Sequence, residues 1–527
     1  MSDSVGAMHR SRLVLLFPAG PLAAALALAL ASESCSSTVV PAGPQPTPVV
    51  YGDAPVPASF QTVTVPSLPA SCTGQTFFEA STWLCDTGIT YFVCGDGSYS
   101  GYSCGEPGTG WTLDTAVDPI ASGSNACSTT GTPGAGDAGP LSASGSVYVE
   151  ANLAAPAENA ILQYRYCDGV LVQTVVARVP TGGTGSADLG DNGILDADQQ
   201  LAVNASHTLL FAVNQGSDSI AVFSIAGDGA LLPVVGSPFP SGGPGPTSLG
   251  VSGNILVVAN KASDGVRDLG SAVANYTTFT IETSGALTPT GTTFPLPPHS
   301  SPTQVLVVPH MYGGGLVFTT EETGVLRGLQ LSPTGDLTQA PGSPVSLPDS
   351  LFAGGTRPVP VWPAGLSVAP GGSVLYTGVP NNGSIAAFSF DTTGELTFVS
   401  GELAPQASLP CWSVVSADGR RLYFANAGSD NISVWDTSTD PGEPVFMQAA
   451  ALAGGGNPWG LRIDPTGNFL FVITPRQIMQ IPDNEGQLLH ALQIAPDGTL
   501  AEVASSPVPI PVPFATNPLG VMAVADR

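Results

Sequence analysis

One unit recurs through the last 380 or so residues, and that repetition limits the architectures open to the chain more than any other feature. Each unit has a short apolar strand, often opened by proline, and then a turn such as Pro-x-Gly or Ala-Asp-Gly. A second strand follows, rich in Leu, Phe, Tyr and Val and often ending in Asn. A third strand runs into a glycine turn. The first strands align at Asp198-QQLAV, Pro246-TSLGV, Pro302-TQVLV, Pro363-AGLSV, Pro410-CWSVV, Pro458-WGLRI and Pro518-LGVMA, at spacings of 48, 56, 61, 47, 48 and 60 residues. Alternating β-branched and aromatic residues between turn signals predict strands, and self-similarity at this period predicts a propeller or a solenoid.

The seventh first strand ends close to Arg527, with no further strands of its own. Strand-like segments that would complete it stand before the first full unit, at SVYVEAN (146–152), AILQYRY (160–166) and LVQTVVARVP (171–180). A blade split between the two ends closes a ring and removes two open strand edges. A solenoid needs no such division. The expected fold class is therefore all-β: a seven-bladed β-propeller over residues 144–527, with one blade shared between its N- and C-terminal strands. The 64 glycines and 50 prolines suit many short strands joined by turns.

Upstream, residues 1–34 read as a secretory signal. His9, Arg10 and Arg12 precede an apolar Leu13–Ala31 stretch, and Ala29-Leu30-Ala31 has the small-x-small form of a cleavage site. An uncleaved membrane anchor is the alternative, set against Pro18 and Pro21 in the apolar run. The expected location is extracytoplasmic: periplasm, cell envelope or secreted. Residues 35–60 form a Pro/Ser-rich tether that begins at Cys35, where a lipid anchor would attach, although Ser32-Glu33-Ser34 lacks the usual upstream aliphatic residue. Residues 61–143 hold Cys72, Cys85, Cys94, Cys104 and Cys127. In an exported chain these predict a small disulfide-rich module of open connectivity. Zinc is the weaker reading, since the cysteines form no C-x-x-C pair and the segment lacks histidine. Cys411, on a predicted inner strand, reads as a buried thiol.

Charge excludes several functions. Thirteen basic residues stand against 40 acidic ones, for a net charge of −27, and Lys261 is the single lysine. Nucleic-acid binding needs clustered cations, so no nucleic-acid partner is expected. Attraction to anionic lipid is disfavoured for the same reason. No EF-hand-type loop appears, and neither a metal nor a cofactor is expected. A monomer is expected.

The stretches Ala205-SHTLLFAVNQGSDSIAVFSIAGDGAL, Ala369-PGGSVLYTGVPNNGSIAAFSFDTTGEL, Ala417-DGRRLYFANAGSDNISVWDT and Asp464-PTGNFLFVIT resemble the lactonase-type seven-bladed propeller family, which includes 6-phosphogluconolactonase-like and YVTN-repeat propellers. The resemblance spans about residues 144–527. It implies a small lactone or sugar-like ligand in the axial funnel and, if the chain is an enzyme, a carboxylic-ester (lactone) hydrolase using His, Glu and Arg side chains. One fold serves many functions, so a non-catalytic cell-envelope propeller that binds a protein or glycan is the alternative.

Ligands meet a propeller where loops run into the inner strands. Residues that break the repeat there are the site candidates. Glu321 stands where other units end their second strand in Asn152, Asn214, Asn260 and Asn426. His299 lies three residues before Pro302 of the same blade. A carboxylate beside an imidazole suits a general base that activates water. Arg357, in the loop leading into the next blade, and Arg462, on an inner strand, are candidate oxyanion donors. Arg462 stands where the other blades have Ala202, Gly250, Leu306, Ser367, Val414 and Met522. Trp362, Trp412 and Trp459, at three successive inner-strand starts, read either as stacking faces for a ring-shaped ligand or as filling between blades. His310 is expected on the opposite face, and His490 in an outer-strand insertion.

Overall fold

The computed structural model describes residues 144–167, 170–172, 175–186, 197–263, 267, 269–311, 313–352, 361–475, 486–513 and 516–527, together with four short strands between 78 and 113. Those four, Phe78–Glu79, Ile89–Val93, Tyr99–Cys104 and Trp111–Leu113, pair in sequence order as an antiparallel sheet. The expected signal, tether and disulfide pairing of the Cys-rich segment lie outside the described residues. Among the described residues no helix is long and apolar enough to cross a membrane.

From Ser144 onward the chain forms seven antiparallel sheets, the blades of a propeller. Their inner strands are Leu201–Val203, Pro246–Ser252, Pro302–Pro309, Ala364–Val368, Pro410–Val415, Leu461–Ile463 and Leu519–Ala525, numbered here as blades 1 to 7. Each of these strands contacts the next around the ring, and the seventh contacts the first. In blade 7 the inner strand Leu519–Ala525 pairs with Ser144–Glu150, which pairs in turn with Ala160–Cys167. The cores lie between neighbouring blades, where apolar faces of adjacent sheets meet.

The glycine turns explain how neighbouring blades lock. The turns after the third strands place Gly229, Gly285, Gly335, Gly394 and Gly498 at φ between 81° and 93°, a region disfavoured for residues with a Cβ. Carbonyls of these turns accept side-chain donors from the preceding blade. Thr278 Oγ1 donates to Gly335 O at 2.7 Å, Gln330 Nε2 to Thr393 O at 3.0 Å, and Tyr423 Oη to Gly498 O at 3.0 Å. The seam between blades 7 and 1 uses the same device, with Gln163 Nε2 donating to Gly229 O at 3.0 Å. There Arg165 Nη1 adds a bond across the seam to Asp228 O at 2.6 Å, its guanidinium being held within blade 7 by an ion pair with Asp526 at 2.5 Å.

Three details differ from the sequence alignment. The second strand of blade 7 ends at Glu150, opposite Leu519, so Glu150 and not Asn152 holds the terminal position. The same register puts Ala523, not Met522, opposite Val147 and level with Arg462. The apolar run through Ala151 hid this two-residue offset, because strand periodicity alone does not mark where pairing stops. Cys411 is fully buried as expected but is disulfide-bonded, as is Cys167, so it is not a thiol.

Candidate functional site

The second strands end at one common level in Asn214, Asn260, Glu321, Val379, Asn426, Thr474 and Glu150. In every blade but the fourth this side chain bonds the third strand or the residue just before it. Asn214 Nδ2 donates to Ser219 Oγ at 3.3 Å, Asn260 Nδ2 to Asn275 Oδ1 at 2.9 Å, and Asn426 Nδ2 to Asn431 Oδ1 at 2.8 Å. Glu321 follows the rule with a charge. Its Oε1 accepts from Arg327 Nε at 2.8 Å, and both side chains are almost completely buried. A buried carboxylate needs such a partner. The neighbouring Glu322 takes Lys261 Nζ at 2.5 Å and Ser301 Oγ at 2.8 Å, and Lys261 is fully enclosed. In blade 6, Thr474 Oγ1 meets His490 Nε2 at 3.0 Å, and His490 Nδ1 meets Glu502 Oε1 at 2.7 Å. His490 is thus a buried third-strand residue and not part of an outer insertion. The hydrophobic run Leu488–Ile494 carries it inward.

His299 lies at the same end of blade 3 as Glu321, in the loop leading to Pro302. It is exposed, with φ +68°, and no hydrogen bond joins it to Glu321 among the described residues. Arg357 lies outside the described residues. Trp362, Trp412 and Trp459 are 8%, 0% and 6% exposed, so none presents an open face to solvent. Trp412 and Trp459 meet each other with ring centroids 5.8 Å apart, inside the core shared by blades 5, 6 and 7.

A feature not expected from the sequence occupies the middle of the ring. The inner strand of blade 1 begins only at Leu201, and the residues before it cross towards other blades. Asp198 N–H donates to Thr303 O of blade 3 at 3.0 Å, and Leu249 N–H of blade 2 donates to Gln199 O at 2.9 Å. Gln199 Nε2 reaches Leu249 O at 2.6 Å and Val305 O at 3.2 Å. Gln304 Nε2 donates to Gln199 Oε1 at 3.2 Å and to Leu366 O of blade 4 at 3.1 Å. Gln199 holds φ +65°, a conformation a non-glycine residue keeps only when its surroundings impose it. The segment 197–200 therefore bridges the inner strands of blades 2 and 3. The sequence carried a signal for it: Asp198 is the one first position of the seven that is not proline.

Asp198 and Arg462 act on each other electrostatically at a distance. Burial raises the Asp198 carboxyl to about 6, against the opposing pull of the Gln199 N–H and of Arg462. Burial lowers the Arg462 pKa, and Asp198 opposes that shift. Arg462 Nε is buried and has no hydrogen-bond partner among the described residues. Burial, then Arg462 and Arg527, lower the pKa of His207, at the hairpin that follows the blade 1 inner strand. An acid that titrates near neutrality within the field of a guanidinium has the makings of a base-and-oxyanion-donor combination. Among the described residues no cluster of His, Cys, Asp and Glu could hold a metal ion.

No protein-family model and no curated protein sequence matches the chain. Solved structures do. A protein from Bacteroides fragilis, provisionally assigned as a 6-phosphogluconolactonase, aligns at 16% identity and TM-score 0.52, covering 74% of this chain and 100% of its own. The periplasmic gluconolactonase of Pseudomonas aeruginosa aligns at 17% identity and TM-score 0.54, covering 73% of this chain and 100% of its own. A protein from Lactobacillus plantarum gives 18% identity and TM-score 0.50, with 72% and 99% coverage. The chain has the fold of the 6-phosphogluconolactonase-like propellers. At these identities the likeness is one of architecture, and the chemistry rests on this chain's own residues.

Proposed function

We propose that the protein is an extracytoplasmic lactonase-like propeller that binds a small, ring-shaped ligand in the axial channel and opens a lactone there. The observation that carries this reading is Asp198, in the segment that bridges blades 2 and 3, acting electrostatically with Arg462 of blade 6. With its pKa raised to about 6, Asp198 is mostly ionised at neutral pH and still basic enough to take a proton from water. The activated water adds to the lactone carbonyl carbon, and the carbonyl electron pair moves onto oxygen beside Arg462. Collapse breaks the ring C–O bond, and the proton held by Asp198 passes to the leaving alkoxide. The product is a hydroxy acid. His299, exposed at the rim, is the second candidate base, and Arg357 a second candidate donor in the loop leading to blade 4. As an orienter of His299, Glu321 would first have to leave Arg327. The extracytoplasmic assignment draws on the N-terminal sequence and on the periplasmic origin of one structural neighbour.

The alternative, a non-catalytic binding propeller, is favoured by that engagement of Glu321 with Arg327. Ring opening of phosphorylated and unphosphorylated lactones by the intact mature chain separates the two readings. Under the proposal, Asp198→Asn and Arg462→Met each lower kcat/KM at least a hundredfold, while His299→Ala has a smaller effect. Loss in His299→Ala alone would move the base to the rim. No activity on any lactone by the folded wild type would leave the binding reading.

A further inference from the structure

Residues 144–527 contain two cysteines, Cys167 and Cys411, and both are disulfide-bonded. They do not bond each other. Cys411 follows Pro410, which pairs with Asn426, so it lies at the end of blade 5 where the second strands finish. Cys167 closes the third strand of blade 7 and pairs with Ser144, the residue that begins a second strand finishing at Glu150. The two cysteines therefore lie at opposite ends of their sheets, with blade 6 between their blades. At roughly 3.3 Å per residue that strand alone puts about 20 Å between the two levels, whereas a disulfide needs Cα atoms within about 7 Å. The remaining six cysteines, Cys35, Cys72, Cys85, Cys94, Cys104 and Cys127, all precede Ser144. Within one chain each propeller cysteine must therefore take its partner from that set. Neighbouring members of the set stand nine or more residues apart, and nine extended residues reach about 30 Å, so two of them can serve the two ends of the ring.

We propose that Cys167 and Cys411 are the two points at which the Cys-rich N-terminal segment is covalently docked on the propeller, one at each end of the ring. The partner of this surface is thus a segment of the chain itself. The bond at Cys411 is made at the end that carries His299 and the loops into the inner strands, so the N-terminal segment is joined to the propeller on that face. Two such bonds form and persist only in an oxidising compartment. The mature chain, folded in an oxidising medium, is denatured with a thiol alkylating agent, because Cys411 is fully buried in the native state. It is then digested with pepsin at low pH, where the scarcity of thiolate suppresses disulfide exchange, and mapped by mass spectrometry before and after reduction. Cys167 and Cys411 are each expected in a cross-linked peptide pair whose other half comes from residues 35–127, and both pairs should separate on reduction. Cys167→Ser and Cys411→Ser should each yield one new alkylated cysteine, upstream of Ser144, and leave the other cross-link in place. A Cys167–Cys411 pair, alkylation of either residue in the wild type, or a disulfide-linked dimer on a non-reducing gel would each overturn the proposal. The wild-type map decides the matter even where a serine variant fails to fold.

Discussion

Glu150→Gln should make the protein more stable at neutral pH, and by an amount that depends on pH in a defined way. Glu150 is fully buried at the blade 7–blade 1 seam. Its Oε1 accepts Asn159 Nδ2 at 3.0 Å, and its Oε2 has no partner. Burial raises its carboxyl from 4.5 to about 8. The native state thus keeps a proton that the unfolded chain gives up. With a folded pKa above the unfolded one, the stabilisation is complete below about pH 4.5 and is lost as pH rises towards 8. At about 1.4 kcal/mol per pH unit, the loss reaches roughly 3 kcal/mol by pH 7. Glutamine keeps the shape and the Asn159 bond and does not titrate. Thermal unfolding of wild type and Glu150→Gln should therefore give a difference in Tm that is near constant below pH 4.5 and grows to several degrees in favour of the variant by pH 7. A difference that stays flat from pH 4.5 to 8 would mean Glu150 is ionised in the native state, and the buried, protonated carboxyl described here would be refuted.

Two further outcomes follow from the ion pairs. Lys261→Met leaves Glu322 enclosed without its cation and should cost about 3–5 kcal/mol, much of which the double variant with Glu322→Gln should restore; urea unfolding of the three proteins measures both values. Arg165→Gln removes a pair with Asp526 that is about a quarter exposed on each side, so its cost should be about 1 kcal/mol and should shrink in 1 M salt, as Tm measurements at two ionic strengths would show.

The candidate site was less legible than the fold. Glu321 stood out because it replaced asparagine, yet both residue types serve one purpose there, tying the second strand to the third. Its partner Arg327 lies six residues on and gave no pattern of its own. The three tryptophans were correctly placed at strand starts, but whether an aromatic faces solvent or the next blade is settled by blade packing, to which strand periodicity is blind. In the sequence Asp198 reads as the start of an inner strand. Its departure from proline was visible, but its bond to Thr303, 105 positions away in the chain, was not.

By itself the sequence determined the seven blades. Six of the blades are local meanders whose strands and turns lie within about sixty residues, the seventh joining the two ends of the repeat region, and residue type dictates the apolar runs of the buried strands and the positive-φ glycine turns. Only the tertiary structure decided what lies on the axis. There, segments from blades 1, 2, 3, 4 and 6 meet, remote in the chain and joined by single hydrogen bonds or by charge at a distance. The burial that lifts the Asp198 carboxyl towards neutrality and leaves Arg462 Nε without an acceptor among the described residues comes from the whole ring at once, and no stretch of sequence contains the ring.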